Sequence, residues 1–221
     1  FVSFVDFGPT ALHLCGIDIP AQVDGKPFLG ADVKMDEVNS RDESFGYADR
    51  FDEKYEFIRT LRKGQFKYHR NYEGYYPDGL QNNYRYLNLA YQEWRKLFQE
   101  GKLNDAQARF YQSKPAEELY DLESDPHQIK NLADDPAFTV TLEDLRDRLG
   151  NWVRSMPDLS FHPEFWLVHN AMDNPVVYGQ KHKTEFEDLA DIADLAIQGP
   201  TEKVISYLAM RLKAKSSSAF W

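Results

Sequence analysis

FIRTLRKGQFKYHRNY, residues 57–72, reads as a β-hairpin. Phe57, Arg59 and Leu61 alternate on one side of a strand, and Lys63-Gly64 supplies a tight turn. Phe66, Tyr68, Arg70 and Tyr72 then alternate again, and a period of two on both sides of a glycine turn is the pattern of a hairpin. Downstream, Pro77-Asp78-Gly79 and Asn82-Asn83 are turn chemistry. Leu87, Tyr91, Trp94 and Phe98 recur at steps of four, three and four, which predicts a helix closed by Gly101. A second short helix is expected over 104–112, where Asn104 can cap. Residues 118–122, ELYDL, read as a further strand ending in the Asp125-Pro126 turn. Leu142, Leu145, Leu149 and Trp152 mark an amphipathic helix, which should cover the sheet face carrying Phe57 and Leu61, or that of their neighbours Ile58 and Thr60.

Upstream of the hairpin, the strand signal begins at about Ser44. Residues 49–56, DRFDEKYE, interleave acids, bases and aromatics just before a strand. Two readings stay open for them: a solvated loop with ion pairs, or a hydrogen-bonding rim for a polar ligand. Residues 20–43 hold scattered Gly, Pro, Asp and Asn without a period and read as loop, with a boundary there. Residues 1–16 read as a short extended piece turning into a helix. Asp6 is its expected N-cap, Pro9 suits its first turn, and Gly16 suits the left-handed position after its last. After 157–163 the character becomes helical. Phe186, Leu189, Ala193 and Ala196 form one stripe, Gly199-Pro200 breaks it, and Val204, Ile205, Leu208 and Leu212 form another, so an antiparallel helix pair is expected. The chain ends on Phe220-Trp221, which could dock back on the body or mark a continuation.

Composition bounds the function. Apolar residues at 42% and charged residues at 28% are those of a folded chain. The 26 basic residues against 36 acidic give a net charge of -10 with no basic cluster, so nucleic acid is not expected as a partner. The same field makes any anionic ligand depend on a local basic pocket. No apolar run reaches the ~20 residues of a membrane span. The single cysteine, Cys15, allows no internal disulfide and is expected as a small buried hydrophobe. The first residue is Phe, with no initiator Met and no signal-peptide pattern, the start expected of a segment of a longer protein.

His13, His69, His127, His162, His169 and His182 include no pair at metal-ligand spacing. Glycine-rich phosphate loops and the Gly-x-Ser-x-Gly elbow are also absent.

Two stretches resemble the sulfatase family of the alkaline-phosphatase-like superfamily. The first is VSFVDFGPTALHLCGI at 2–17, followed by Pro20 and GKPFL at 25–29; the second is PAEELYDLESDP at 115–126, followed by Asn131-Leu132-Ala133. Between them Arg59-Thr60-Leu61-Arg62 and Phe66-Lys67-Tyr68 fit that family's hairpin. The resemblance covers residues 1–157 and is closest to heparan N-sulfatase-like and related bacterial sulfatases. It implies an α+β chain: residues 1–43 as the end of the alkaline-phosphatase-like α/β catalytic domain, 44–157 as a small antiparallel-sheet subdomain with packed helices, and 158–221 as a helical C-terminal extension outside the common pattern.

The resemblance further implies a parent enzyme that hydrolyses sulfate esters or sulfamates of carbohydrate, with a formylglycine nucleophile and a calcium ion. Cys15, in Leu14-Cys15-Gly16-Ile17, and Ser155, in Ser155-Met156-Pro157-Asp158, both fail the formylglycine motif, and the metal-binding acids belong upstream. The chain therefore carries no expected catalytic or metal residue and is expected to be inactive alone, with the upstream catalytic domain as its partner. A periplasmic or secreted location is implied by the family. Leu119, Tyr120 and Leu122 should be strand, Asp125-Pro126 turn, and Asn131 a side chain that satisfies loop backbone groups. From their position beside the family's cleft, Arg50, Asp52 and Glu53 are the candidate substrate-binding residues, with His69 on the neighbouring strand. Two rivals stand: a phosphonate or phosphodiester hydrolase of the same superfamily, and a non-catalytic glycan-binding or interaction module.

Overall fold

The computed structural model describes residues 1–197, 199 and 201–215. The expectation for Phe220 and Trp221 lies outside these residues, as do the side chains of Ala196, Leu208 and Leu212. The fold is α+β. Strands β1 (Glu43–Phe51), β2 (Lys54–Lys63), β3 (Phe66–Asn71) and β4 (Glu117–Asp121) form one sheet in the order β1-β2-β3-β4. The hairpin expected at 57–72 is present: Gly64 turns it with φ 54°, a conformation costly to side chains with a Cβ. Phe57, Arg59 and Leu61 are its buried alternation, with Ile58 and Thr60 half-buried. β4 runs antiparallel to β3, pairing Tyr68 with Leu119 and Arg70 with Glu117.

The chain forms two compact units. The first comprises Phe1–Tyr47, Arg59–Arg70 and Glu117–Leu145. Its core holds Leu61, Tyr68, Leu119, Tyr120, Leu132, Leu142 and Leu145. The outer edge of β4 would expose unpaired backbone, and the following loop covers it. The Leu132 N–H donates to the Leu119 carbonyl (2.8 Å), while the Asn131 side chain accepts from the N–H groups of Leu119 (2.9 Å) and Ala133 (3.0 Å). Asn131 therefore has the structural role expected of it. Asp125 likewise closes its turn by accepting from the Lys130 N–H (2.8 Å).

The opening of this unit has no strand. A 3-10 turn (Phe4–Asp6) leads into helix α1 (Phe7–Leu14), which Gly16 ends at φ 70° as expected. Asp6 stands at the N-cap position of α1, as expected, but its side chain makes no capping hydrogen bond to that helix. Its carboxylate accepts from the backbone N–H groups of Ser3 and Lys26, both at 2.9 Å, so a partner 20 residues away replaces the local cap. Cys15 is exposed, contrary to expectation, because the C-terminal end of α1 turns its Leu14-Cys15 side outward. The stretch read as loop over 20–43 contains the short helix α2 (Met35–Asn39).

The second unit comprises Ala48–Ile58, Asn71–Ala116 and Arg146–Trp221. Helix α3 (Leu89–Gln99) is capped by the Asn88 side chain and followed by Gly101 at φ 65°. The expected second helix is a shorter pair, α4 (Asp105–Ala108) and a 3-10 turn (Arg109–Tyr111), with Asn104 capping through the Gln107 N–H (2.9 Å). Around them Trp94 stacks on Phe110 (4.5 Å between centroids) and Phe98 on Tyr111 (4.7 Å). Phe57 packs against Tyr72 (4.4 Å) and Phe161 (4.9 Å).

Helix α5 (Thr139–Ser155) begins in the first unit and ends in the second. Its buried positions are Leu142, Leu145, Leu149 and Val153, and Trp152 is only half-buried. At 3.6 residues per turn, the fourth residue after Leu149 continues the apolar stripe and the third falls at its margin. The two helices expected on either side of Gly199-Pro200 are α8 (Lys183–Ile197) and α9 (Glu202–Lys215), and two further described helices, α6 (Glu164–Asn170) and α7 (Pro175–Lys181), precede them. Arg154 donates from Nε to Asp191 on α8 at 2.9 Å, tying the end of α5 to that helix.

Candidate functional site

Residues 49–56 are strand, turn and strand. β1 ends at Phe51 and β2 begins at Lys54, so Asp52-Glu53 is a two-residue hairpin connection. Asp52 takes φ 51°, a left-handed conformation that Asp tolerates better than most residues. The Arg50 Nε donates to the Asp52 carbonyl at 2.7 Å, and the Arg50 guanidinium pairs with Glu164 of α6. Both members of that pair are about half exposed, so it contributes little, ~0–1 kcal/mol. The Glu53 carboxylate accepts from the Asn83 backbone N–H. That bond, with a second from its own backbone, holds the Glu53 carboxyl below the usual carboxylate range. Tyr84, next in the chain to Asn83, is largely exposed.

The structure thus brings together three of the four expected recognition residues, Arg50, Asp52 and Glu53. His69 belongs to the other unit. There its Nε2 lies 3.1 Å from Gln128 Oε1 and its ring stands edge-on to Tyr120.

Beneath the turn is a cluster that no motif announced. Lys54, the first residue of β2, is buried and pairs with Glu56 two residues on. Its Nζ also lies 3.5 Å from Asp78. Lys114 reaches the same two acids, at 3.1 Å from Glu56 and 2.8 Å from Asp78. Two cations and two carboxylates cancel, so the cluster cannot recruit an anion. It can hold β2, the 77–79 turn and the approach to β4 in one geometry. Burial would raise the Asp78 carboxyl, but contacts with Glu56 and Lys114 and the charges of Lys114 and Lys54 outweigh it and hold Asp78 below the carboxylate range. Burial would likewise lower Lys114, and Asp78 and Glu56 outweigh it and raise the amine. Lys54 and Glu56 share one face of the strand, a signal visible at i, i+2, but Asp78 and Lys114 lie 24 and 60 positions from Lys54.

The same unit carries exposed aromatic rings. Tyr75 and Tyr76 lie 4.4 Å apart at 51°, and the Tyr75 hydroxyl donates to Glu73 at 3.3 Å. Such plates beside carboxylates suit a ligand with an apolar face and a hydroxyl rim. Among the described residues no group of three or more His, Cys, Asp or Glu could hold a metal ion. No described helix is long and apolar enough to cross a membrane. Calcium therefore finds no fitting donor set among the described residues, and Cys15 lacks the sequence setting for a formylglycine.

No family model matches the chain. It is 38% identical over 174 residues to an ulvan-active sulfatase of Formosa agariphila, a match covering 76% of this chain and 28% of that protein. It is 26% identical over 154 residues to the N-sulphoglucosamine sulphohydrolase of Homo sapiens, covering 69% of this chain and 28% of that protein. A solved structure of a 2-O GAG sulfatase superposes with a TM-score of 0.40 at 21% identity, over 67% of this chain and 24% of that one. The chain spans under a third of the length of these curated relatives.

Proposed function

We propose, because this chain belongs to the sulfatase family as its C-terminal part, that it completes an enzyme hydrolysing sulfate esters or sulfamates of carbohydrate. The observation that carries this reading is the 38% identity over 174 residues to a sulfatase of which the matched region is 28%. Residues 1–43 end the catalytic domain in this reading, 44–157 form the C-terminal subdomain, and 158–221 extend it. The nucleophile, a formylglycine, and the calcium ion that neutralises sulfate oxygens belong to the part of the enzyme upstream of this chain. Residues of this chain take no bond-making role, and the chain alone is inactive. The location is periplasmic or secreted.

What this chain supplies is recognition. Arg50 can bind a sulfate or carboxylate through two parallel N–H bonds once it leaves its exposed partner Glu164. Asp52 and Glu53 accept from sugar hydroxyls, and the exposed Tyr84 ring offers a stacking face. Lys54, Glu56, Asp78 and Lys114 hold that turn in place. The test is to assay the longer polypeptide side by side on a sulfated oligosaccharide, a sulfamate and a phosphodiester. Preferential release of sulfate supports the reading. Preferential phosphodiester cleavage assigns the chain to the rival hydrolase, and oligosaccharide binding without turnover assigns it to a glycan-binding module.

A further inference from the structure

The β2-β3 hairpin sets two cations face to face. The Tyr72 N–H donates to the Phe57 carbonyl at 2.9 Å, which fixes that pair as opposite partners, and the two-residue turn between Lys63 and Phe66 keeps the same register. Arg62 therefore stands opposite Lys67. Hydrogen-bonded and non-hydrogen-bonded pairs alternate along an antiparallel ladder, so Arg62 and Lys67 form a non-hydrogen-bonded pair, in which opposed Cα atoms are only ~4.5 Å apart. On the next ladder Lys67 pairs with Tyr120 and His69 with Glu118. All five residues share one face of the sheet in the first unit.

Neither cation of the pair has an acid. The half-buried Lys67 amine makes no hydrogen bond or ion pair among the described residues. The Arg62 Nε donates to the Gly64 carbonyl at 3.3 Å and its guanidinium lies over the Phe1 ring at 4.8 Å, again with no carboxylate partner among the described residues. Glu118, the acid of this face, accepts from the Tyr120 hydroxyl at 2.7 Å. Burial, and after it the Arg62 charge, lower the Lys67 amine, and the Glu118 charge opposes them without reversing the result. Lys63, beside Arg62 in the strand but on the other face, shows the contrast: its amine lies 2.8 Å from Asp42 and 3.2 Å from Glu43. Like charges opposed across a ladder destabilise a sheet, yet in a chain with 36 acidic residues this pair is left without one.

Resting on the sulfatase reading above, we infer that Arg62 and Lys67 form an oxyanion subsite that takes a second anionic group of the carbohydrate, a sulfate or a uronate carboxylate. A net charge of -10 makes such a ligand depend on a local basic spot. Arg50 reaches an anion only by leaving Glu164, and the cluster of Lys54, Glu56, Asp78 and Lys114 is neutral. Arg62 and Lys67 have no acid to leave. The guanidinium offers parallel N–H donors to two oxygens, and the ammonium adds a point charge from the opposite strand. The substrate class is thereby narrowed to glycans with at least two anionic groups.

Acylation by limiting acetic anhydride, followed lysine by lysine with mass spectrometry, reads the subsite in the 221-residue chain without any turnover. The probes are inorganic sulfate, a sulfated uronate-containing disaccharide and a neutral disaccharide, each against sodium chloride at equal ionic strength. A bound oxyanion favours the protonated amine, so Lys67 should acylate about tenfold more slowly at saturating sulfate or sulfated disaccharide, the factor expected of a neighbouring opposite charge. The neutral disaccharide should protect nothing, and Lys63 should keep its rate in every arm. Arg62→Gln should abolish the protection and leave the circular dichroism unchanged, because that side chain is exposed. Lys67 rates equal to those in sodium chloride, or protection that survives Arg62→Gln, overturn the inference. Protection by inorganic sulfate but not by the sulfated disaccharide overturns the glycan as the source of the anion. Protection of Lys67 in the longer polypeptide with no added anion overturns it in favour of an acidic side chain of that polypeptide. The sulfatase reading is judged separately by sulfate release: an active longer polypeptide whose Lys67 no anion protects sinks only the subsite, and an inactive one whose Lys67 the disaccharide protects sinks only the sulfatase reading.

Discussion

Replacing Lys54 by methionine keeps most of the side-chain volume and removes one charge from the four-charge cluster. The Lys54 side chain is 3% exposed and that of Glu56 17%, so the acid left behind is largely cut off from water. Removing one member of a buried pair costs ~3–5 kcal/mol when the remaining charge has no other partner. Here Lys114 still stands 3.1 Å from Glu56 and 2.8 Å from Asp78, so the loss should be partial, about 2–3 kcal/mol on the same scale. Lys63→Met is the matched control. Its partners Asp42 and Glu43 are more exposed, and it should lose no more than ~1 kcal/mol. Urea unfolding at neutral pH measures both, and adding Glu56→Leu closes a double-mutant cycle that should return a favourable coupling of ~0.5–3 kcal/mol. If Lys54→Met and Lys63→Met cost the same, burial is not what gives the cluster its strength and the positioning argument for the 52–53 turn fails.

Acid should weaken the second unit through Asp78. Its folded pKa is depressed, so its contribution is complete above the ordinary value of ~3.9 and is lost as pH falls through the folded value; the urea midpoint of Asp78→Asn should therefore decline less steeply below about pH 4 than that of the parent. Asn131→Ala leaves the N–H of the fully buried Leu119 without its acceptor and should cost ~1–3 kcal/mol in the same assay, whereas an unchanged midpoint would mean that the loop after β4 does not depend on this side chain. In the active longer polypeptide, Arg50→Ala should raise KM for a sulfated oligosaccharide and leave kcat nearly constant, because a contact equally strong in ground and transition states contributes only to binding. A fall in kcat at constant KM would contradict its assignment to recognition.

The sequence made the central hairpin legible because its face is buried strictly on alternate residues from Phe57 to Leu61 and its turn needs the left-handed Gly64. The strand signal begins at about Ser44, inside β1, but the end of that strand is not legible: β1 is an edge strand with no buried residue along its described side chains, so no apolar alternation carries it through the charged run at 49–56. Local rules also missed partners far along the chain. Asp6 holds the N-cap position that the sequence suggests, yet one of the hydrogen bonds to its carboxylate comes from Lys26, 20 residues on. The candidate turn was visible as a run of charges at 49–56, but the cluster below it joins positions 54, 56, 78 and 114, which no window could connect. On α5 the size of Trp152 drew the reading one position short of Val153, whose phase is the correct one.

The central proposal is that this chain is the recognition part of a sulfatase whose chemistry lies outside it. Sulfate released from a sulfated oligosaccharide, measured in parallel for the 221-residue chain and the longer polypeptide with calcium present, tests it most directly. The account predicts sustained release by the longer polypeptide and none above blank by the chain alone. Enzyme-dependent turnover by the chain alone, or no sulfate release by a folded longer polypeptide, would contradict it.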